Sequence, residues 1–149
     1  MQDKIESDLK AALLAGDKSK VETLRGLKSA ILNEAIAQGA RDSGLEDEQI
    51  RKVLMREAKK RAEAAELYKK GGSEERAAAE MNEKAVIDAY LPEQPDESQV
   101  AAAVEKAMSQ IESPSAADTG RVIGSVKAEL GDATDGGTIA KIVKEKLSQ

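Results

Sequence analysis

Apolar residues in this chain recur at every third or fourth position, and that spacing constrains the fold more than any other feature. Val21, Leu24, Leu27, Ile31, Ala35 and Ile36 fall along one stripe of a helix with 3.6 residues per turn. No segment shows the strict alternation of a half-buried strand. A chain whose segments each carry one apolar stripe must bury stripe against stripe, so the fold class expected is all-α.

Helix punctuation divides the pattern into seven segments. Ile5, Leu9, Ala12 and Leu13 mark a helix over 3–15 that ends at Gly16, and Asp17 is placed to cap a second helix running to about Ala37. A long third helix from about Asp47 to Lys69 would present Ile50, Leu54, Ala58, Ala65 and Tyr68, with a length of roughly 35 Å. The "GGS" at 71–73 turns the chain, Ser73 is the expected cap of a fourth helix, and Met81, Ala85, Ile87 and Tyr90 are its inward residues. The third and fourth helices therefore read as an antiparallel hairpin. Pro92 and Pro95 interrupt the helical pattern, which predicts a boundary between an N-terminal helical domain, 1–91, and a three-helix domain, 92–149. Beyond it, Asp96 with Gln99 and Ser115 with Asp118 resemble capping boxes. They precede helices carrying Val100, Val104, Met108 and Ile111, then Val122, Ile123, Val126 and Leu130. A last helix carries Ile139, Ile142, Val143 and Leu147.

The absences restrict the chemistry. The chain has no His and no Cys, and its only aromatic residues are Tyr68 and Tyr90. Without imidazole or thiol, any catalysis would fall to Ser, Thr, Lys, Asp and Glu, and the usual zinc ligands are missing. Neither a metal nor a cofactor is expected. The charged N-terminus lacks a signal-peptide core and no apolar run approaches a membrane span, so a cytoplasmic location without membrane contact is expected. Two tyrosines cannot support base stacking as the main recognition mode, so any RNA contact would be to shape and backbone.

The glycine-rich stretch "GDATDGGTIAKIVKEKL", 131–147, admits three readings. A Walker-type phosphate loop requires Lys-Ser/Thr directly after its last glycine, whereas Gly137 is followed by Thr138 and Ile139. A calcium loop beginning at Asp132 would put Val143 where a bidentate Glu belongs. Helix punctuation fits better, with Gly131 as a left-handed helix end, Asp135 as the next cap, and Gly136 and Gly137 easing the turn. Gly120 and Gly124, four apart and followed by Ala128, leave a smooth strip on one helix face. Close packing of another helix is the expected use, and approach of an RNA backbone is the alternative.

Charge is concentrated at one place. Residues 1–90 carry 17 basic and 18 acidic groups and residues 91–149 carry 6 and 10, yet Arg51, Lys52, Arg56, Lys59, Lys60 and Arg61 stand within eleven residues against Glu57 alone. This is either a phosphate-tracking stripe or a solvated helix face balanced by acids of the fourth helix. Arg25 and Lys28 form a smaller basic pair. Glu80 and Glu83 could be read as a catalytic carboxylate pair, but acids three apart on a helix are ordinarily surface groups.

Four stretches together, "TLRGLKSAILNEAI" (23–36), "REAKKRAEAAELYKKGG" (56–72), "YLPEQ" (90–94) and "TGRVIGSVKAELGDATDGGTIAKIVKEKL" (119–147), resemble the YqeY-like family of small bacterial proteins over nearly the whole chain. The resemblance implies an all-helical two-part protein whose second half is similar to the tail of the B subunit of tRNA-dependent amidotransferase. That tail engages tRNA and is not the catalytic part. Carried onto this chain, the tail pattern falls on Gly120, Arg121, Val122 and Ile123, then on Gly131, Asp135 and Gly136, then on Lys144, Glu145 and Leu147. Gly124 and Ser125 depart from it, standing where many relatives carry lysine or bulkier residues. The candidate RNA-binding residues are Gly120, Arg121 and Lys144 from this pattern, Gly124 from the smooth strip, and Lys127 and Lys141 as further cations on the tail, with Lys52, Arg56, Lys59 and Lys60 as a second patch. Two functions follow as expectations. One is a tRNA-binding or tRNA-amidation accessory protein, non-catalytic alone, whose partners are tRNA or a protein of the tRNA-charging machinery. The other is a helical protein-interaction module that does not bind RNA.

Overall fold

A computed structural model of the chain describes residues 1–132 and 134–149. Among them lie seven α-helices and no strand: α1 (Gln2–Ala15), α2 (Lys18–Ala37), α3 (Asp47–Lys70), α4 (Glu74–Asp88), α5 (Glu97–Ser109), α6 (Thr119–Leu130) and α7 (Gly136–Leu147). A short 3-10 turn, Ala116–Asp118, precedes α6. The all-α class follows from the periodicity. The chain divides into two compact units, Met1–Pro92 and Glu93–Gln149.

The caps explain most of the helix starts. Asp17 accepts the Lys20 backbone N–H at 3.1 Å, and Asp96 accepts that of Gln99 at 2.8 Å while its own N–H donates to the Gln99 side chain at 2.9 Å. Asp135 accepts both the backbone N–H and the hydroxyl of Thr138. Each satisfies donors that a helix start leaves unpaired. Two expected caps differ. Ser73 occupies the N-cap position of α4, but its side chain makes no capping bond. Ser115 and Asp118 do pair, at 2.9 Å from the Ser115 N–H, but they close the 3-10 turn and α6 begins one residue after it.

Unit Met1–Pro92 is built on a core of Ile5, Leu24, Leu27, Ile31, Ile50, Val53, Leu54, Ala58 and Ile87, with α3 and α4 packed as a hairpin. Val53 joins this core although its neighbour Leu54 alone suggested the face. Ile36, Met81 and Ala85, expected to point inward, are exposed. The reason is geometric, since a helix stripe roughly 100° wide is covered where a neighbour lies over it, and these residues lie outside the stripes that Ala77 and Ile87 on α4 and Leu24, Leu27 and Ile31 on α2 define. Unit Glu93–Gln149 packs Val100, Ala103, Val104 and Ala107 of α5 against Val122 and Val126 of α6 and Ile139, Ile142 and Val143 of α7. Fully burying the Val and Ile side chains is worth about 1.5–3 kcal/mol each, the main force holding three short helices together.

The glycines separate into three behaviours. Gly16 ends α1 in left-handed geometry (φ 71°, ψ 19°), and its N–H is bonded to the Leu13 carbonyl. Gly131 does not adopt the left-handed helix end expected of it. At φ 102° and ψ 151° it leaves α6 in an extended, positive-φ conformation that is nearly exclusive to glycine. Gly120 and Gly124 overturn the packing expectation: both are exposed, and a Cβ added to either meets nothing within 4 Å. Their strip faces open space because Val122 and Val126, on the opposite side of α6, take the helix contacts.

Candidate functional site

On α3 the clustered cations are held by acids. Arg56 pairs with Glu34 of α2, Lys52 with Glu48 at 3.0 Å, and Lys60 with Glu57 at 2.8 Å. Arg61 lies on the stripe of Ala58 and Ala65, with its Nε 3.0 Å from Glu83 and its Nη1 3.8 Å from Glu80, both on α4. Lys59 is exposed. The Glu34 contact extends into a relay: Gln38 donates to Glu34, Gln49 donates to Gln38, and the Glu46 N–H donates to the Gln49 side chain. Hydrogen bonds from Gln38 and then Arg56 hold the Glu34 carboxyl below its ordinary value, and the Lys52 bond does the same for Glu48. Glu80 and Glu83, considered above as a catalytic pair, instead flank one guanidinium inside the α3–α4 hairpin.

In unit Glu93–Gln149 the candidate residues fall on two faces. Gly120, Gly124 and Ala128 share the outer side of α6, and at about 100° per residue Arg121 and Lys127 stand on either flank of that strip. The Lys127 stem runs toward the start of α7, where a Cβ at Gly136 would lie 3.9 Å from its Cε and 3.8 Å from Ile123 Cγ2. Arg121 lies near Asp118, whose carboxyl is held below its ordinary value by the Ser115 backbone and side-chain bonds and, to a smaller degree, by the Arg121 charge. The second face belongs to α7, where Lys141, Lys144, Glu145, Ser148 and Gln149 line a shallow depression. Lys144 sits in the last turn, where a cation also complements the helix dipole. Among the described residues the ion pairs of this unit are Lys106 with Glu129 and Lys146 with Glu105, leaving Arg121, Lys127, Lys141 and Lys144 outside any ion pair.

What the sequence reading missed is non-local. The Arg56–Glu34 pair spans 22 positions, and the bond from Tyr90 Oη to Asp8 spans 82. The pairs three or four apart, Lys52–Glu48 and Lys60–Glu57, carry a signal in the sequence. The long-range pairs carry none, since they depend on which helices become neighbours.

Among the described residues no group of three or more His, Cys, Asp or Glu side chains is placed to hold a metal ion, and no helix is long and apolar enough to cross a membrane. The fold and its charged groups thus define a small all-helical protein whose candidate residues lie on open helix faces. A family model described as Yqey-like protein matches residues 2–147, and the chain belongs to that family. Among curated proteins none matches the chain.

Proposed function

We propose that this protein is a tRNA-binding accessory factor of the tRNA-charging or tRNA-amidation machinery, which contacts the phosphate backbone through unit Glu93–Gln149 and performs no chemistry on the RNA by itself. The observation that carries the reading is the set of exposed or half-exposed cations, Arg121, Lys127, Lys141 and Lys144, that make no ion pair among the described residues. A cation already bonded to a carboxylate must break that bond to reach a phosphate, whereas an unpaired one exchanges only water and counterions. The resemblance of this half to the tRNA-engaging tail of the amidotransferase B subunit points the same way, and the open Gly120–Gly124 strip leaves room for a backbone between Arg121 and Lys127. The α3 cations are an auxiliary contact in this reading.

The test is tRNA binding by the full chain at low and moderate salt. Log affinity should fall by roughly 0.7–0.9 per decade of salt for each phosphate neutralised. Absence of salt-dependent binding at tens of micromolar protein would exclude the RNA reading. A protein-interaction module is then the better account, favoured by Leu13, Leu14, Leu32, Ile36, Leu67 and Met81, large apolar side chains that stand exposed on the helices of Met1–Pro92.

A further inference from the structure

We infer that α1 is a hinged strap, closed over the core of unit Met1–Pro92 by a polar latch between Asp8, Lys4 and Tyr90 and able to open without unfolding the other helices. Three features of the helix carry this. Most of its packing is on one side: α1 lies along α2, packs less against α3 and α4 among the described residues, and fully buries only Ile5 and Ala12, with Ile5 entering the shared core beside Met1 and Leu9. Its far side is fastened at polar points. Tyr90 Oη donates to Asp8 Oδ2, Lys4 Nζ donates to the same oxygen at 3.2 Å and lies 5.3 Å from the centre of the Tyr90 ring, and the Met1 amino group pairs with Asp47 of α3 at 3.1 Å, while on the near side Lys28 of α2 pairs with Glu6 at 3.2 Å. Its end is built to pivot, because Gly16 joins α1 to α2 in left-handed geometry with nothing within 4 Å of where a Cβ would stand.

The latch brings three groups together at one point. Tyr90 is half-buried, and its hydroxyl and Lys4 converge on one carboxylate in an open cleft that Ala85, Val86 and Ala89 also line. A hydrogen bond to an ionised carboxylate is stronger than a neutral one. Bonding to Tyr90 first, then to Lys4, holds the Asp8 carboxyl below its ordinary value, while burial and the Asp8 bond raise the Tyr90 hydroxyl. Lys20 lines the same cleft and its charge also faces Asp8. By contrast, α3 and α4 pack along their whole hairpin, so the two parts of the unit differ in how much must be undone for a helix to leave.

Hydrogen exchange on the full chain tests this without any substitution. Amides of Gln2–Ala15 that are bonded within the helix should exchange faster than those of α2 around Leu24 and of α3 around Leu54, and with a shared rate that marks opening as a unit. Equal protection across α1, α2 and α3 would overturn the strap. The variant Tyr90→Phe, which keeps the ring and removes the donor, should raise α1 exchange about five- to tenfold while leaving α3 and α4 unchanged. Asp8→Asn, which weakens the acceptor, should reproduce it. A uniform rise across every helix of Met1–Pro92, or no rise in α1 for either variant, would show that the Asp8–Tyr90 bond is no latch.

Discussion

Two regions of this molecule carry exposed cations and hold them differently. On α3 the charges are dense along the sequence, but Lys52, Arg56, Lys60 and Arg61 each have a carboxylate partner, two of these cations reaching acids on other helices. On α6 and α7 the charges are sparse and the surrounding unit is acidic overall, yet Arg121, Lys127, Lys141 and Lys144 make no ion pair among the described residues. The difference teaches that charge density is a poor guide to availability. The positions of α2 and α4 beside α3 bring Glu34, Glu80 and Glu83 within reach. The outer faces of α6 and α7 have no such neighbour within their own unit.

The largest effect that would break this comparison is on RNA affinity. Arg121→Glu/Lys144→Glu should weaken tRNA binding on the order of a hundredfold, about 2.7 kcal/mol, at low salt, whereas Arg56→Glu/Lys60→Glu should change it several-fold at most. Gel-shift or anisotropy titrations decide it, and the reverse ranking would move the site to α3.

Next in size is Gly131→Val. A β-branched residue forced to φ 102° and ψ 151° should lower stability by about 1–3 kcal/mol, while Lys141→Ala should stay within about 0.5 kcal/mol. Thermal melts showing Gly131→Val equal to the unsubstituted chain would remove the positive-φ assignment.

Smaller and opposite in sign is the effect of filling the open strip. Gly120→Ala and Gly124→Ala meet nothing within 4 Å, so Gly124→Ala, inside α6, should stabilise by about 0.5–1 kcal/mol through helix propensity and Gly120→Ala, in its first turn, by less. If the double substitution raises the melting temperature and still weakens tRNA binding, the strip is where the RNA approaches. Unchanged binding would confine the contact to the flanking charges.

The smallest effect is the acid limb of stability. Asp8, Glu34, Glu48 and Asp118 all have folded pKa values below their unfolded ones. Their contribution is therefore present above the unfolded values, 3.8 for Asp and 4.5 for Glu, and is lost as pH falls through the lowered folded ones. Replacing Glu34 by Gln should flatten that decline in a denaturant series from pH 6 to pH 2. An unchanged slope would mean that the relay from Arg56 to Gln49 contributes nothing in solution.

Much of this was legible in the sequence. The apolar period fixed the class because a 3.6-residue repeat cannot place one face inward in any other element, and Asp17, Asp96 and Asp135 announced helix starts because a short carboxylate can reach the N–H two or three residues on. The pairs Lys52–Glu48 and Lys60–Glu57 are likewise local, with both partners on one helix face. Family membership was legible for a related reason, since several motifs recur in one order along 2–147.

Tertiary structure alone decided the rest. Whether Gly120 and Gly124 meet a helix or open space, whether Arg56 is paired, whether Ile36 and Met81 are covered, and whether Tyr90 finds Asp8 all depend on which helices lie beside one another. Helical periodicity specifies the face of a helix and says nothing of its neighbour. Local spacing therefore determined the elements and their ends, while the packing of stripe on stripe determined which charges meet a carboxylate and which do not.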